Sequence, residues 1–130
     1  MDAKLIPNAV YNIVLEQDNI LLVKKNNLWK LPGGVITPGK HPLDQIFLHI
    51  NSELPSLKSL VSGDLFGIIT NISDLKAYVY FIKLDSGSIQ AIQAGPQVEG
   101  AGWFRDTKDL NLEPVTEGVI KLLRQLGRIK

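Results

Sequence analysis

The sequence lacks cysteine altogether and contains a single methionine. Without cysteine, the chain has no disulfide bonds, no thiolate nucleophile and no cysteine-ligated zinc or iron site. It also lacks a charge excess, because 14 basic and 13 acidic residues leave a net charge of +1. A net charge of that size gives no signal for a nucleic-acid partner or an anionic membrane surface.

Long apolar runs are missing as well. Residues 1–7 contain no apolar core followed by a small-residue cleavage site, and no later segment reaches the roughly 18 apolar residues that span a bilayer. We therefore expect a cytoplasmic protein without a membrane segment. The length of 130 residues and the hydrophobic content of 45% are typical of a globular domain, so we expect residues 1–130 to form a single domain.

Alternating apolar residues predict strands near the start of the chain. The segments "AVYNIVLE" (9–16) and "ILLVKK" (20–25) flank Gln17-Asp18-Asn19, which predicts a β-hairpin. A loop rich in glycine and proline follows. Apolar side chains then recur at helical spacing, which predicts a helix over residues 42–54 that ends before Pro55.

The second half of the sequence returns to strands and ends in a helix. The segments "GDLFGIIT" (63–70) and "KAYVYFIKL" (76–84) predict an antiparallel pair, and "AGWF" (101–104) predicts a short strand. Thr116 is predicted to cap a terminal helix that ends at Gly127. This order of elements predicts an α/β (α+β) fold, a sandwich with a mixed sheet between helices.

The run Trp29-Lys30-Leu31-Pro32-Gly33-Gly34, followed by Gly39 and the predicted helix, resembles the loop-helix unit of the Nudix (MutT-like) hydrolase family. The preceding hairpin, the later strands and the "GWF" strand before the terminal helix also resemble the order of elements in that family. The resemblance implies a Nudix-like α/β/α sandwich over most of the chain. It also implies that Gly33 and Gly34 bind substrate and that activity requires Mg²⁺ or Mn²⁺.

The sequence motif of the Nudix loop-helix unit, called here the box, contains four glutamates, and three of them are absent from this sequence. With the box placed on Gly34, the glutamate positions hold Lys40, His49, Ser52 and Glu53. Carboxylates on one helix face hold the divalent cations that polarise a pyrophosphate. One carboxylate makes a weak magnesium site, and an imidazole shifts the preference toward Mn²⁺, Zn²⁺ or Ni²⁺. The resemblance thus implies Glu53 as the catalytic residue, and Glu53 with His49 as the metal ligands.

Two positions of the box admit more than one interpretation. Lys40 places a positive charge where the family has a carboxylate, so it is a candidate substrate-binding residue that contacts phosphate without a metal. The alternative is a solvent-exposed lysine on a loop. His49 and Glu53 lie one helical turn apart, so they could either bind a metal or form an exposed pair.

Three functions remain open at this point. The first is a catalytically impaired relative of nucleoside-diphosphate-linked pyrophosphohydrolases, which binds a nucleotide-like small molecule or a protein partner and needs no cofactor. The second is an active hydrolase that supplements Glu53 with acids from outside the box, such as Asp64, Glu99 or Glu117. The third is a structural interaction domain. Members of the resembled family are often dimers, so a homodimer remains open too.

Overall fold

The computed structural model describes residues 8–36, 39–41, 45–46, 53, 60–72, 75–84, 94–96 and 98–129. In these ranges the strands are β1 (Asn8–Ile13), β2 (Leu15–Glu16), β3 (Asn19–Lys25), β4 (Leu28–Lys30), β5 (Gly33–Val35), β6 (Leu60–Ile72), β7 (Leu75–Leu84) and β8 (Gly100–Phe104). The C-terminal helix spans Pro114–Gln125. No helix in the described part of the chain is long and apolar enough to cross a membrane.

The helix predicted over residues 42–54 lies mostly outside the described residues. Gln45, Ile46 and Glu53 have helical backbone, in agreement with the prediction at these three positions. Ile46 and Glu53 are both buried, and Ile46 packs in a hydrophobic cluster with side chains of the sheet.

The described strands form two four-stranded sheets. The first sheet has the order β5-β1-β7-β6, in which β1 and β7 run parallel and the other two pairs run antiparallel. In the second sheet, β3 pairs antiparallel with β2, β4 and β8. The α+β class predicted from the order of elements is confirmed by this arrangement, and the first sheet is mixed as predicted.

The chain changes sheets at Val14, which divides the strand predicted over residues 9–16. β1 lies in the first sheet, whereas β2 lies in the second and forms a hairpin with β3. Gln17 and Asp18 supply the left-handed turn of that hairpin, with φ of 51° and 66°. The predicted pairing of the whole segment with residues 20–25 is therefore wrong for β1. The physical reason is that β1 is buried on both faces, which suits a central strand with a parallel neighbour.

Alternate side chains of β1 belong to two hydrophobic clusters, one on each face of the sheet. On one face, the cluster joins β1 to the C-terminal helix through Ala9, Tyr11, Ile13, Val119 and Leu123. On the other face, the cluster contains Val10, Val14, Leu21, Ile36 and Ile46. Because Ile46 is helical, helical residues cover both faces of the sheet, which is the α/β/α layering expected from the sequence.

The C-terminal helix begins three residues earlier than predicted, with its cap at Glu113 instead of Thr116. Glu113 is the N-cap residue, and its Oε1 atom accepts a hydrogen bond from the Thr116 backbone N–H at 2.8 Å. Pro114 occupies the first turn, where its missing N–H costs no helical hydrogen bond. The prediction of Thr116 as the cap is wrong, because its hydroxyl instead accepts a hydrogen bond from the backbone N–H of Leu31 at 2.9 Å.

Candidate functional site

The glycine loop, defined here as Leu31, Pro32 and Gly33, connects β4 to β5 at the centre of the molecule. Each of its residues is held by a different element. The Leu31 N–H donates to Thr116 of the C-terminal helix, and the Pro32 carbonyl accepts from the backbone N–H of Asn12 in β1 at 2.8 Å. The Gly33 N–H donates to the Glu53 carboxylate at 2.7 Å. Three anchors from distant parts of the chain therefore fix the course of this loop.

Gly33 is required by the packing of the loop against β1. Its φ is 142°, and a Cβ atom at this position would lie 1.9 Å from the Val10 carbonyl oxygen. Only glycine avoids that overlap, and the close approach allows β5 to pair with β1. The packing of the chain therefore requires a glycine at position 33, whether or not a ligand binds.

Glu53 is the only box glutamate that the sequence retains, and its carboxylate faces the loop from inside the protein. The residue is 3% exposed. Its Oε1 atom accepts the hydrogen bond from the Gly33 N–H at 2.7 Å, and its Oε2 atom lies 3.6 Å from Nζ of Lys30. Both carboxylate oxygens are therefore engaged by the protein's own groups, and the Gly33 N–H is already used as a donor.

Lys30 is the cation that faces this carboxylate. Its ammonium group donates hydrogen bonds to the carbonyl oxygens of Gly33, at 2.8 Å, and Leu31, at 3.0 Å. Burial lowers the pKa of Lys30, and the negative charge of Glu53 opposes that shift. The resemblance did not single out Lys30 as a site residue, although it lies directly before the Leu-Pro-Gly-Gly run.

Tyr11 and Glu113 complete the partly buried polar network around the Lys30 ammonium. The Tyr11 hydroxyl donates to Oε2 of Glu113 at 2.6 Å, and the Lys30 ammonium lies 5.6 Å from the centre of the Tyr11 ring. Burial raises the pKa of Tyr11 above its ordinary value, and the bond to Glu113 adds to the effect. No sequence signal marks this pair, because the two residues are 102 positions apart.

The described residues at the loop do not fit a divalent cation. The two oxygens of Glu53 already contact a backbone N–H and an ammonium group, and that ammonium would repel a second cation. In the part of the chain that the structure describes, no three His, Cys, Asp or Glu side chains are grouped so that they could hold a metal ion. His49 lies outside the described residues, so its predicted role as a metal ligand remains a prediction.

The other predicted substrate-binding residues lie close to this loop in the sequence. Gly34 belongs to β5 and pairs with Val10 of β1. Lys40 is exposed and follows Gly39, whose φ of 84° turns the chain. An exposed ammonium at this position is available to a ligand in solvent, in contrast to the buried ammonium of Lys30.

The acids considered as replacements for the missing box glutamates lie in three different parts of the chain: on β6, on the C-terminal helix and directly before β8. Asp64 is exposed on β6, and Glu117 is exposed on the C-terminal helix. The Glu99 carboxylate caps the turn between β3 and β4, where it accepts hydrogen bonds from the backbone N–H groups of Asn26, at 2.8 Å, and Asn27, at 3.3 Å. Glu99 therefore stabilises that turn.

Comparison with known proteins gives matches among solved structures only. No family model and no curated protein matches the sequence. A protein assigned to the Nudix hydrolase family from Chromobacterium violaceum superposes with a TM-score of 0.76 at 16% identity, over 95% of this chain and 80% of that one. A MutT Nudix hydrolase from Burkholderia pseudomallei superposes with a TM-score of 0.73 at 20% identity, over 88% of this chain and 95% of that one.

A third match is a bifunctional NMN adenylyltransferase/ADP ribose pyrophosphatase from Francisella tularensis, complexed with AMP and a manganese ion. Its TM-score is 0.70 at 18% identity, and the match covers 95% of this chain but 43% of that protein. The identities are low, whereas the superpositions extend over most of this chain. The sheets, the helical layers and the glycine loop described above are therefore those of the Nudix fold.

Proposed function

We propose that this Nudix-fold protein is impaired in metal-dependent pyrophosphate hydrolysis and binds a nucleotide-like small molecule beside the glycine loop, at Gly34 and Lys40. The observation that carries the proposal is the position of Glu53. Its carboxylate is buried, and both of its oxygens are engaged by Gly33 and Lys30. A carboxylate in that position stabilises the loop, whereas hydrolysis of the family's type requires carboxylates that hold a divalent cation.

The ligand class is supported by the fold and by the positive charge near the loop. A protein that shares this fold over 43% of its length has been crystallised with AMP. In the proposal, Gly34 and the exposed Lys40 contact the phosphate groups of the ligand, and Gly33 contributes by shaping the loop. Lysine binds phosphate as a point charge, so it needs no bridging metal.

An active hydrolase is the second candidate, and the Francisella protein favours it, because that bifunctional protein is an ADP ribose pyrophosphatase. In this alternative, Glu53 leaves Lys30 and binds a metal together with His49 and acids such as Asp64 or Glu117. The alternative thus requires the buried ion pair to open before the reaction.

Hydrolysis of a substrate panel separates the two candidates. Nucleoside triphosphates, ADP-ribose, dinucleotide polyphosphates and nucleotide sugars are incubated with Mg²⁺ or Mn²⁺, with the Glu53→Gln variant as the control. We expect no turnover of any compound by a folded sample. Metal-dependent turnover that the Glu53→Gln variant loses would establish the hydrolase instead.

Binding of the same compounds is then measured by calorimetry in EDTA. We expect at least one to bind, with affinity that falls about tenfold or more in Lys40→Glu, because the substitution replaces an attractive charge with a repulsive one. Lys121→Glu, an equal charge change at an exposed position of the C-terminal helix, should bind like the wild type. Absence of binding by every compound would contradict the proposed ligand class.

A further inference from the structure

Three oxygen atoms surround the Lys30 ammonium at the glycine loop. They are the carbonyl oxygens of Gly33, at 2.8 Å, and Leu31, at 3.0 Å, and Oε2 of Glu53, at 3.6 Å. Carbonyl and carboxylate oxygens are the ligands that hard cations such as Mg²⁺ and Mn²⁺ take in proteins. These three oxygens, called here the oxygen cluster, therefore have the composition of a cation site, and their occupant is an ammonium attached to β4.

The burial of the oxygen cluster favours a positively charged occupant. The side chain of Glu53 is 4% exposed and that of Lys30 is 11% exposed. A buried carboxylate without a counter-charge is strongly disfavoured, so a cation beside Glu53 stabilises its ionised form in the folded protein. The ammonium group has three N–H donors, and two of them donate to the carbonyl oxygens of Leu31 and Gly33.

We propose that the Lys30 ammonium is the resident cation of the oxygen cluster and replaces a divalent metal there. It follows that the loop keeps its conformation without a metal, and that Mg²⁺ or Mn²⁺ binds the cluster only when the ammonium is removed. The inference goes beyond the proposed function, because it concerns the cation that holds the loop and stands whether or not a nucleotide binds.

The test is the effect of Mn²⁺ on thermal unfolding of the wild type and of the Lys30→Met variant, which keeps most of the side-chain length and loses the charge. The unfolding midpoint of the wild type should be the same in EDTA and in excess MnCl₂. The Lys30→Met variant should unfold at a lower temperature in EDTA, and Mn²⁺ should raise its midpoint by roughly 3 °C or more. Lys25→Met removes a nearby exposed ammonium and should behave like the wild type.

Two results would overturn the proposal. One is stabilisation of the wild type by Mn²⁺ to the same extent as the variant, since the metal would then bind beside the ammonium. The other is a Lys30→Met variant that does not respond to Mn²⁺, since the oxygen cluster would then not be a cation site.

A second measurement covers the case in which Lys30→Met does not fold in EDTA. The variant is then refolded from urea with and without MnCl₂, alongside Lys30→Arg, which keeps the charge. Recovery of folded Lys30→Met only with Mn²⁺ supports the proposal. Failure to recover in both conditions, while Lys30→Arg folds, contradicts it.

Discussion

At the scale of single residues, the conformation of the glycine loop requires that Gly33 has no Cβ atom. A Cβ atom on Gly33 would overlap the Val10 carbonyl oxygen at 1.9 Å, so any side chain forces β5 away from β1. The same residue offers its N–H to Glu53 and its carbonyl oxygen to Lys30. Displacement of Gly33 would therefore disturb the strand pairing and the buried charge pair together.

Gly33→Ala should consequently destabilise the protein by about 3 kcal/mol or more, because a backbone clash of this kind cannot be relieved by side-chain rotation. Gly39→Ala is the matched control. Gly39 also has positive φ, of 84°, but no atom lies within 4 Å of the added Cβ, so the cost should be about 1 kcal/mol. Urea unfolding measures both values, and equal losses would contradict the proposed role of the Val10 contact.

Candidate site residues could be proposed from the sequence only where one stretch carries them. Gly33, Gly34, Lys40 and Glu53 are such candidates, because they lie in the Leu-Pro-Gly-Gly run or at the family's spacing after it, and their roles remain predictions. Tyr11 and Glu113 could not be predicted, since their contact depends on how β1 and the C-terminal helix pack. The ion pair of Lys30 with Glu53 was missed for a similar reason, because it depends on where the helical residues lie against the loop.

At the scale of elements, the C-terminal helix supports the glycine loop directly. The Thr116 hydroxyl accepts the Leu31 N–H, and the Glu113 carboxylate caps the helix through Oε1 while its Oε2 accepts the Tyr11 hydroxyl. The first turn of the helix thus connects the loop and β1 through side-chain oxygens. A substitution that removes these side-chain oxygens should therefore destabilise the glycine loop.

Thr116→Val should destabilise the protein by about 1–3 kcal/mol, because the buried N–H of Leu31 loses its acceptor while the side-chain shape is kept. Gly118→Ala lies in the same helix with open space around the added methyl group, and should stabilise by up to about 1 kcal/mol. Opposite signs in chemical denaturation are the expected result. A neutral Thr116→Val would mean that the Leu31 N–H finds another acceptor.

Element types were more predictable than element pairings. The alternation of β6, β7 and β8 and the apolar stripe of the C-terminal helix are local patterns, and the structure confirms them. The division between β1 and β2 at Val14 carries no glycine or proline, so nothing local marks it. β4 was also missed, because the turn before it is formed by Asn26 and Asn27, with φ of 53° and 64°, rather than by a glycine.

At the scale of the whole molecule, the buried Tyr11 links stability to pH. Burial and the Glu113 bond raise the pKa of Tyr11, so the folded state holds this proton when an unfolded tyrosine, with a pKa of about 10, has lost it. Above that pH the folded state binds more protons than the unfolded state. The free energy of unfolding must therefore fall as pH rises through this range.

Tyr11→Phe tests this linkage. At neutral pH the variant should lose about 1–2 kcal/mol, since Glu113 loses a hydrogen-bond donor. Between pH about 9 and 11 its free energy of unfolding should decline less steeply than that of the wild type, because Phe has no proton to release. Denaturant unfolding across this range gives both slopes. Parallel curves for the two proteins would contradict the assignment.

The fold class of the whole molecule was predictable, and the distribution of strands between sheets was not. The order of strands and helices fixes the α+β layering, because each amphipathic element must bury one face. β1 of the first sheet and β2 of the second sheet are separated by one residue, Val14. The passage of the chain from one sheet to the other at this residue depends on long-range packing. Only contacts such as the parallel pairing of β1 with β7 reveal it.

The passage of the chain through Val14 also has a mechanical consequence. Val14 is fully buried, and its carbonyl oxygen accepts a hydrogen bond from the Leu21 N–H, so the one residue between β1 and β2 is held by packing and by a hydrogen bond. A hinge needs residues that can change φ and ψ freely, and Val14 is the one residue between these two strands. This crossing therefore does not offer a hinge between the two sheets.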